Sequence, residues 1–213
     1  RHINLSFNYF GNFYRIIDMM DIADMQIERH PWEPFVPDGA RVLIMGTFPP
    51  GSHRWSMDFY YPNRTNDFWY MMGLIFFDDR NALYRPENKC FDLEAIKGLL
   101  TDRHIALNDT AREVRRLKGN ASDKFLDIVT PVPLYELLGG MPECHTVATT
   151  GEKAAGVVAD ITGTQVPKMG NMVHSSDGID IWRMPSTSRA YPMRLEAKAA
   201  YYETLFRSVG ILS

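Results

Sequence analysis

Residues 41–77 read RVLIMGTFPPGSHRWSMDFYYPNRTNDFWYMMGLIFF. Val42, Leu43, Ile44 and Met45 form a short apolar run that Gly46 stops, and a loop rich in Pro, Gly and aromatic residues follows. Beyond Asn66 and Asp67, the residues Phe68, Trp69, Met71, Met72, Ile75 and Phe76 recur at helical spacing. Four apolar residues bounded by Gly and Pro predict a buried strand, and the later spacing predicts a helix. Strand, loop and helix make half of a βαβ unit. In open α/β sheets the ligand crevice lies at the carboxyl ends of the strands, which puts this loop first in any search for chemistry.

The pattern repeats outward from that stretch. Leu93, Ile96, Leu99 and Leu100 predict a short helix with Asp92 near its start. The segment His104, Ile105, Ala106, Leu107 predicts a second strand, ended by Asn108, Asp109 and Thr110. A basic cluster follows (Arg112, Arg115, Arg116, Lys118), read as a solvated helix or a phosphate-facing edge, and Ser122 is a candidate cap for the next segment. Leu134, Leu137 and Leu138 make a helical turn closed by Gly139 and Gly140. The run from His145 to Ala148 is a third strand. The helix after it carries Thr150 as its expected cap, and the run from Ile179 to Met184 is a fourth strand. Leu195, Ala199, Tyr202, Leu205 and Phe206 share one face of a last helix. Strands alternating with helices predict a three-layer αβα fold around a central, mostly parallel, four-stranded sheet with helices on both faces. Residues 1–30 read as an N-terminal extension with a possible helix around Ile16 to Ile27, and residues 31–213 as a single α/β domain.

At 213 residues the chain suffices for one buried core. A hydrophobic content of 45% and a net charge of −3 announce neither a membrane protein nor a polyanion binder, so any nucleic-acid face has to be a local patch. Cys90 and Cys144, the only two cysteines, are too few for a thiolate-ligated iron–sulfur cluster and lack zinc-site spacing. A metal-free, cofactor-free, cytoplasmic protein acting as a monomer away from membranes is the expectation.

Polar residues gather at the strand exits: GTFPP with YPNRTND, then LNDT, then MPSTSR, and more weakly TTG. Each set taken alone also reads as turn residues and helix caps; Thr65 is such a candidate cap, and Ser188 or Arg189 a candidate start for the last helix.

Taken together and in order, these segments resemble the motifs of the uracil-DNA glycosylase superfamily, nearest its hypoxanthine-DNA glycosylase and mismatch-specific (thymine/uracil) branches. The resemblance spans about Val42 to Phe206. It implies a monofunctional DNA glycosylase of base-excision repair that hydrolyses the N-glycosidic bond of a deaminated base, uracil or hypoxanthine. Its partner would be DNA containing a damaged or mismatched base. Asn66 of YYPNRTNDFW would position the water, assisted by Asp67 or Asp109. Phe48, Phe59, Tyr60 and Tyr61 would offer ring surfaces for stacking an extruded base. Asn108 would read its edge, since a carboxamide both donates and accepts. Met184 stands where the uracil enzymes carry a histidine that bonds the departing base. Thr150, Gly151, Ser186, Thr187 and Ser188 would contact the DNA backbone, and Arg189 lies where the family inserts a wedge into the duplex. The Gly-x-x-Pro region departs from better-known branches by carrying Thr47 and Phe48 in place of a polar catalytic residue. Two rivals stay open: a base- or nucleic-acid-binding member of the fold with weak or lost catalysis, and a small-molecule nucleotide hydrolase.

Overall fold

The computed structural model describes residues 25–117 and 125–213. The expected helix around Ile16 to Ile27 lies almost wholly outside the described residues, as do Lys118 and the cap at Ser122. A five-stranded sheet forms the centre, in the order β5 (Ile105–Asp109), β2 (Val42–Gly46), β8 (Thr146–Thr150), β10 (Asp180–Met184), β9 (Met172–His174). The first four of these run parallel, and β9 adds an antiparallel edge. The expected parallel strands are therefore all present. The fifth was not legible because MVH is too short and too exposed to carry a period-two signal.

The parallel strands are buried on both faces, and their side chains alternate between two cores. Val42, Ile44, Ile105, Leu107, Ala148 and Met184 face one side. There they meet α1 (Phe68–Phe77), α2 (Leu93–Asp102) and α5 (Leu195–Ser208). Leu43, Met45, Ala106, Val147 and Ile181 face the other, under α3 (Leu134–Gly139) and α4 (Glu152–Thr162). This is the αβα sandwich expected from the alternation of elements.

The basic cluster after β5 is neither helix nor free edge. Ala111–Arg116 is β6, which pairs antiparallel with β7 (Leu126–Pro131) on one side and with β1 (Glu28–Arg29) on the other. The β6–β7 register is irregular between Ala111 and Val114, which lets both of these residues be buried in one cluster while Arg112 is exposed. Residues 28–30, assigned to the extension on sequence, are thus paired into the folded body. A small ribbon, β3 (Tyr84–Arg85) with β4 (Cys90–Phe91), precedes α2. Asp92 does cap α2, accepting from the Ala95 amide. The cap of α4 is Gly151 and not Thr150: its φ of 107° is a conformation that glycine adopts without a Cβ penalty. No described helix is long and apolar enough to cross a membrane.

Candidate active site

Parallel register brings the ends of the central strands level: Gly46 lies opposite Asp109, and Met184 opposite Thr150. A hollow of about 640 Å³ opens above this row. Gly46, Thr47, Phe48, Tyr61, Asn66, Asp109, Thr150, Ser186, Thr187, Ser188 and Arg189 are among its lining residues. Four stretches far apart in sequence therefore share one cavity, of a size that suits a small organic ligand.

The α1 start builds one wall. Asn66 Oδ1 accepts from the Phe68 amide at 2.9 Å, so the side chain closes an Asx turn that leads into the helix. Its amide NH₂ makes no hydrogen bond among the described residues. Thr65 instead bonds Asn63, and the N-cap position falls to Asp67. Asp67 does not line the hollow. Its Oδ2 accepts from Lys198 Nζ at 2.9 Å and its Oδ1 from Arg189 Nε at 3.2 Å. Lys198 is 0% exposed and also donates to the Ser188 carbonyl. The Asp67 amide donates to the Thr187 carbonyl at 2.8 Å. These contacts tie α1, α5 and the loop after β10 into one unit. Asp67 thus acts as a clamp and is not free to assist a water, because two cations occupy its oxygens.

Strand β5 supplies the other wall. Successive residues point to opposite faces of a strand, and here that separates Asn108 from Asp109. Asn108 does not line this hollow; its Oδ1 lies 3.0 Å from the buried hydroxyl of Tyr60. The expected base reader thus stands outside this hollow, on the wall of a second one of about 610 Å³. Asp109 faces the hollow in its place. Its Oδ1 comes so close to strand β2 that a Cβ at position 46 would lie 2.5 Å away, so a side chain there would displace the carboxylate. Its Oδ2 is 3.0 Å from His30 Nε2. His30 Nδ1 lies 2.9 Å from the Trp32 carbonyl and 3.2 Å from the Trp32 amide. Burial pulls the imidazole pKa down. The Asp109 hydrogen bond and charge, the Trp32 carbonyl and the charge of Glu33 outweigh it and hold His30 above its ordinary value. Sequence reading missed His30. A lone histidine upstream of three prolines carries no motif, and only the pairing of β1 with β6 delivers it.

Of the rings expected to stack a base, Phe48 and Tyr61 line the hollow. Tyr61 has a φ of 52°, stacks on Phe68 at 3.8 Å between centroids, and lies 3.3 Å from the Thr150 hydroxyl. A left-handed tyrosine costs about 1 kcal/mol, borne here by the stacking that fixes the ring. Phe59 and Tyr60 are corrections: both are buried core residues, Phe59 edge-on to Phe35 and Tyr60 stacked on His30. Met184 is likewise corrected. It is 0% exposed, packs under the sheet, and offers only its carbonyl, which accepts from the Gly151 amide.

The loop after β10 forms the rim. Ser186 Oγ accepts from the Ser188 amide and Ser188 Oγ from the Ala190 amide, so each hydroxyl keeps its proton for an outside acceptor. Gly151 packs against the Ser186 side chain from the β8 exit. Arg189 is half exposed and folded back: besides Asp67 it donates to the Arg64 carbonyl, and its guanidinium lies 5.5 Å from the Tyr70 ring centre. It does not extend as a free wedge. Arg115, Arg116 and Arg183 are also held in ion pairs, with Asp127, Glu28 and Glu152. Arg54, on the lining of the hollow, and Arg64 make no ion pair among the described residues.

No protein-family model matches the chain. No curated protein matches it either. Among solved structures, it is similar to the solution NMR structure of a candidate uracil DNA glycosylase from Methanosarcina acetivorans. The TM-score is 0.60 at 20% sequence identity, over 87% of this chain and 99% of the other. At that identity the likeness is one of fold: the chain shares the three-layer αβα architecture of that structure.

Proposed function

We propose that this protein is a metal-independent, monofunctional DNA glycosylase of the uracil-DNA glycosylase superfamily, acting in base-excision repair on a deaminated base, uracil or hypoxanthine. The observation that carries the reading is the single hollow shared by Asn66, Asp109, Tyr61 and the Ser186 to Ser188 rim. The cavity combines ring surface, a carboxylate and hydroxyl donors, which is what capture of one unstacked nucleotide asks for. The shared fold supports the same reading.

In the proposed reaction a water stands between the free Oδ1 of Asp109 and C1′ of the deoxyribose. The C1′–N bond breaks and its electron pair leaves with the base. The water oxygen bonds to C1′, its proton passes to Asp109, and the departing base anion takes a proton from solvent. Asp109 serves as general base, worth roughly 10²–10⁴-fold in such steps. The Asn66 amide NH₂ orients the water or the base. No lysine lines the hollow among the described residues, and Lys198 is locked onto Asp67. Water attack is therefore favoured over a Schiff-base route. The serine hydroxyls of the rim, with Arg54 and Arg64, would grip phosphates, the local patch that a chain of net charge −3 requires.

The test is an oligonucleotide panel carrying uracil, hypoxanthine, xanthine or mismatched thymine, treated with alkali after incubation. Alkali-sensitive breaks at uracil or hypoxanthine are expected. Binding without breaks on every substrate would leave a binding protein and remove the enzyme assignment.

A further inference from the structure

His30 sits in a box. Trp32 and Phe48 present ring edges to the imidazole at 5.7 and 5.5 Å between centroids, and Tyr60 stacks on it at 5.6 Å. Asp109 and the Trp32 backbone take its two nitrogens. Side-chain exposure is 7% for His30 and 8% for Asp109, so the pair is held in one geometry. A surface ion pair would not be held in this way.

The pair also separates two cavities. A second hollow of about 610 Å³ lies behind it, and both His30 and Asp109 line that wall. Asp109 is common to both hollows. The imidazole is thus shielded from the first hollow yet open to solvent exchange through the second. The Trp32 peptide offers Nδ1 an acceptor at 2.9 Å and a donor at 3.2 Å. Both protonation states of the ring find a partner without moving it.

Building on the glycosylase reading above, we infer that His30 is a positioning residue for the reaction. It pins Asp109 by Oδ2 so that Oδ1 faces the reacting water, and its charge state sets how strongly that carboxylate takes a proton. The relevant charges around the ring are few. Asp109 and Glu33 are the acids that act on it, and the Tyr60 phenol is driven far up by burial and stays neutral. Arg29, Arg112, Glu113 and Glu136 border the second hollow, where Arg29 and Thr130 already engage Glu113.

The sign follows from the raised imidazole pKa. Below its ordinary value of 6.5, and for some way above it, His30 is a cation whose charge offsets that of the adjacent Asp109 carboxylate. As pH rises through the raised imidazole pKa the ring loses its proton and that offset is lost. The single-turnover rate on a uracil or hypoxanthine oligonucleotide should therefore climb several-fold to a plateau. His30→Gln keeps a hydrogen bond to Asp109 without titrating. It should retain substrate binding and much of the plateau rate, and lose the inflection. His30→Ala should lose rate at every pH. A parallel NMR titration of the His30 ring, in wild type and in Asp109→Asn, reads the coupling without using activity; the asparagine variant should titrate lower.

An active wild type whose inflection persists in His30→Gln would overturn the role of His30 alone. An unshifted ring titration in Asp109→Asn would overturn the coupling. A wild type that releases no base from any substrate would remove the glycosylase reading and this role with it, even with the ring titration intact.

Discussion

Adding one methyl group at Gly46 is the sharpest available probe of Asp109. A Cβ there would stand 2.5 Å from Asp109 Oδ1, short of ordinary contact at 3.4 Å by about 0.9 Å, and 3.3 Å from the Tyr61 hydroxyl. The tyrosine needs to yield only a few tenths of an ångström. The carboxylate has to move by nearly the full deficit, and it cannot swing freely because Oδ2 is anchored on His30. Overpacking of this kind typically costs about 1–3 kcal/mol; one carboxylate tip at a cavity wall puts Gly46→Ala near the lower end, about 1 kcal/mol. A general base displaced by about 1 Å loses on the order of 10²-fold in rate, or about 2.7 kcal/mol of barrier. Gly46→Ala should therefore stay folded and bind DNA while its single-turnover base release falls about 10²-fold. The assay is release from a labelled oligonucleotide with enzyme in excess, beside urea denaturation and fluorescence anisotropy on an uncleavable duplex. A folded variant releasing base within about threefold of wild type would show that the reacting atoms are not held against Asp109, because a misplacement of that size is expected to cost far more.

The remaining expectations concern residues whose roles the structure redistributes. Asn66→Asp keeps an acceptor for the Phe68 amide, whereas Asn66→Ala also removes that Asx-turn hydrogen bond, a loss of about 1 kcal/mol. If the NH₂ group serves the chemistry, both variants lose about two orders of magnitude in base release, and wild-type turnover in Asn66→Asp would reduce the residue to a turn former. Asn108→Ala should cost about 1 kcal/mol, by removing one partner of the Tyr60 hydroxyl, and leave base preference unchanged; altered preference on the oligonucleotide panel would return Asn108 to the site. Lys198→Met leaves Asp67 with Arg189 as its remaining ion partner in the clamp that joins α1, α5 and the β10 exit. It should cost about 3 kcal/mol by chemical denaturation, and a loss below about 1 kcal/mol would show that the buried ammonium is not what holds the loop.

How far the sequence could be read depended on which physical rule governed each residue. Runs such as Val42 to Met45, punctuated by Gly and Pro, carry their own strand signal, and the apolar spacing in residues 68–76 carries its own helix. Local rules fixed the order of elements, the αβα class and the edge of the sheet that would bear the site. The same rules could not phase the end of β5. In a strand buried on both faces, apolar alternation does not mark which face each residue takes, so Asn108 and Asp109 looked interchangeable until the register with β2 separated them. Nor could they sort Phe59, Tyr60 and Tyr61, since the left-handed turn at Tyr61 alone sends one ring to the hollow and leaves two in the core. His30 falls in the segment read as an extension, and Lys198 carries no motif on the sequence. Contacts across 79 and 131 positions of sequence pair them with Asp109 and Asp67. The sequence by itself determined the layers, because helix and strand periodicities are local properties of the chain. The tertiary structure alone decided which carboxylate faces the cavity and which is clamped, because that depends on charges brought together only by folding.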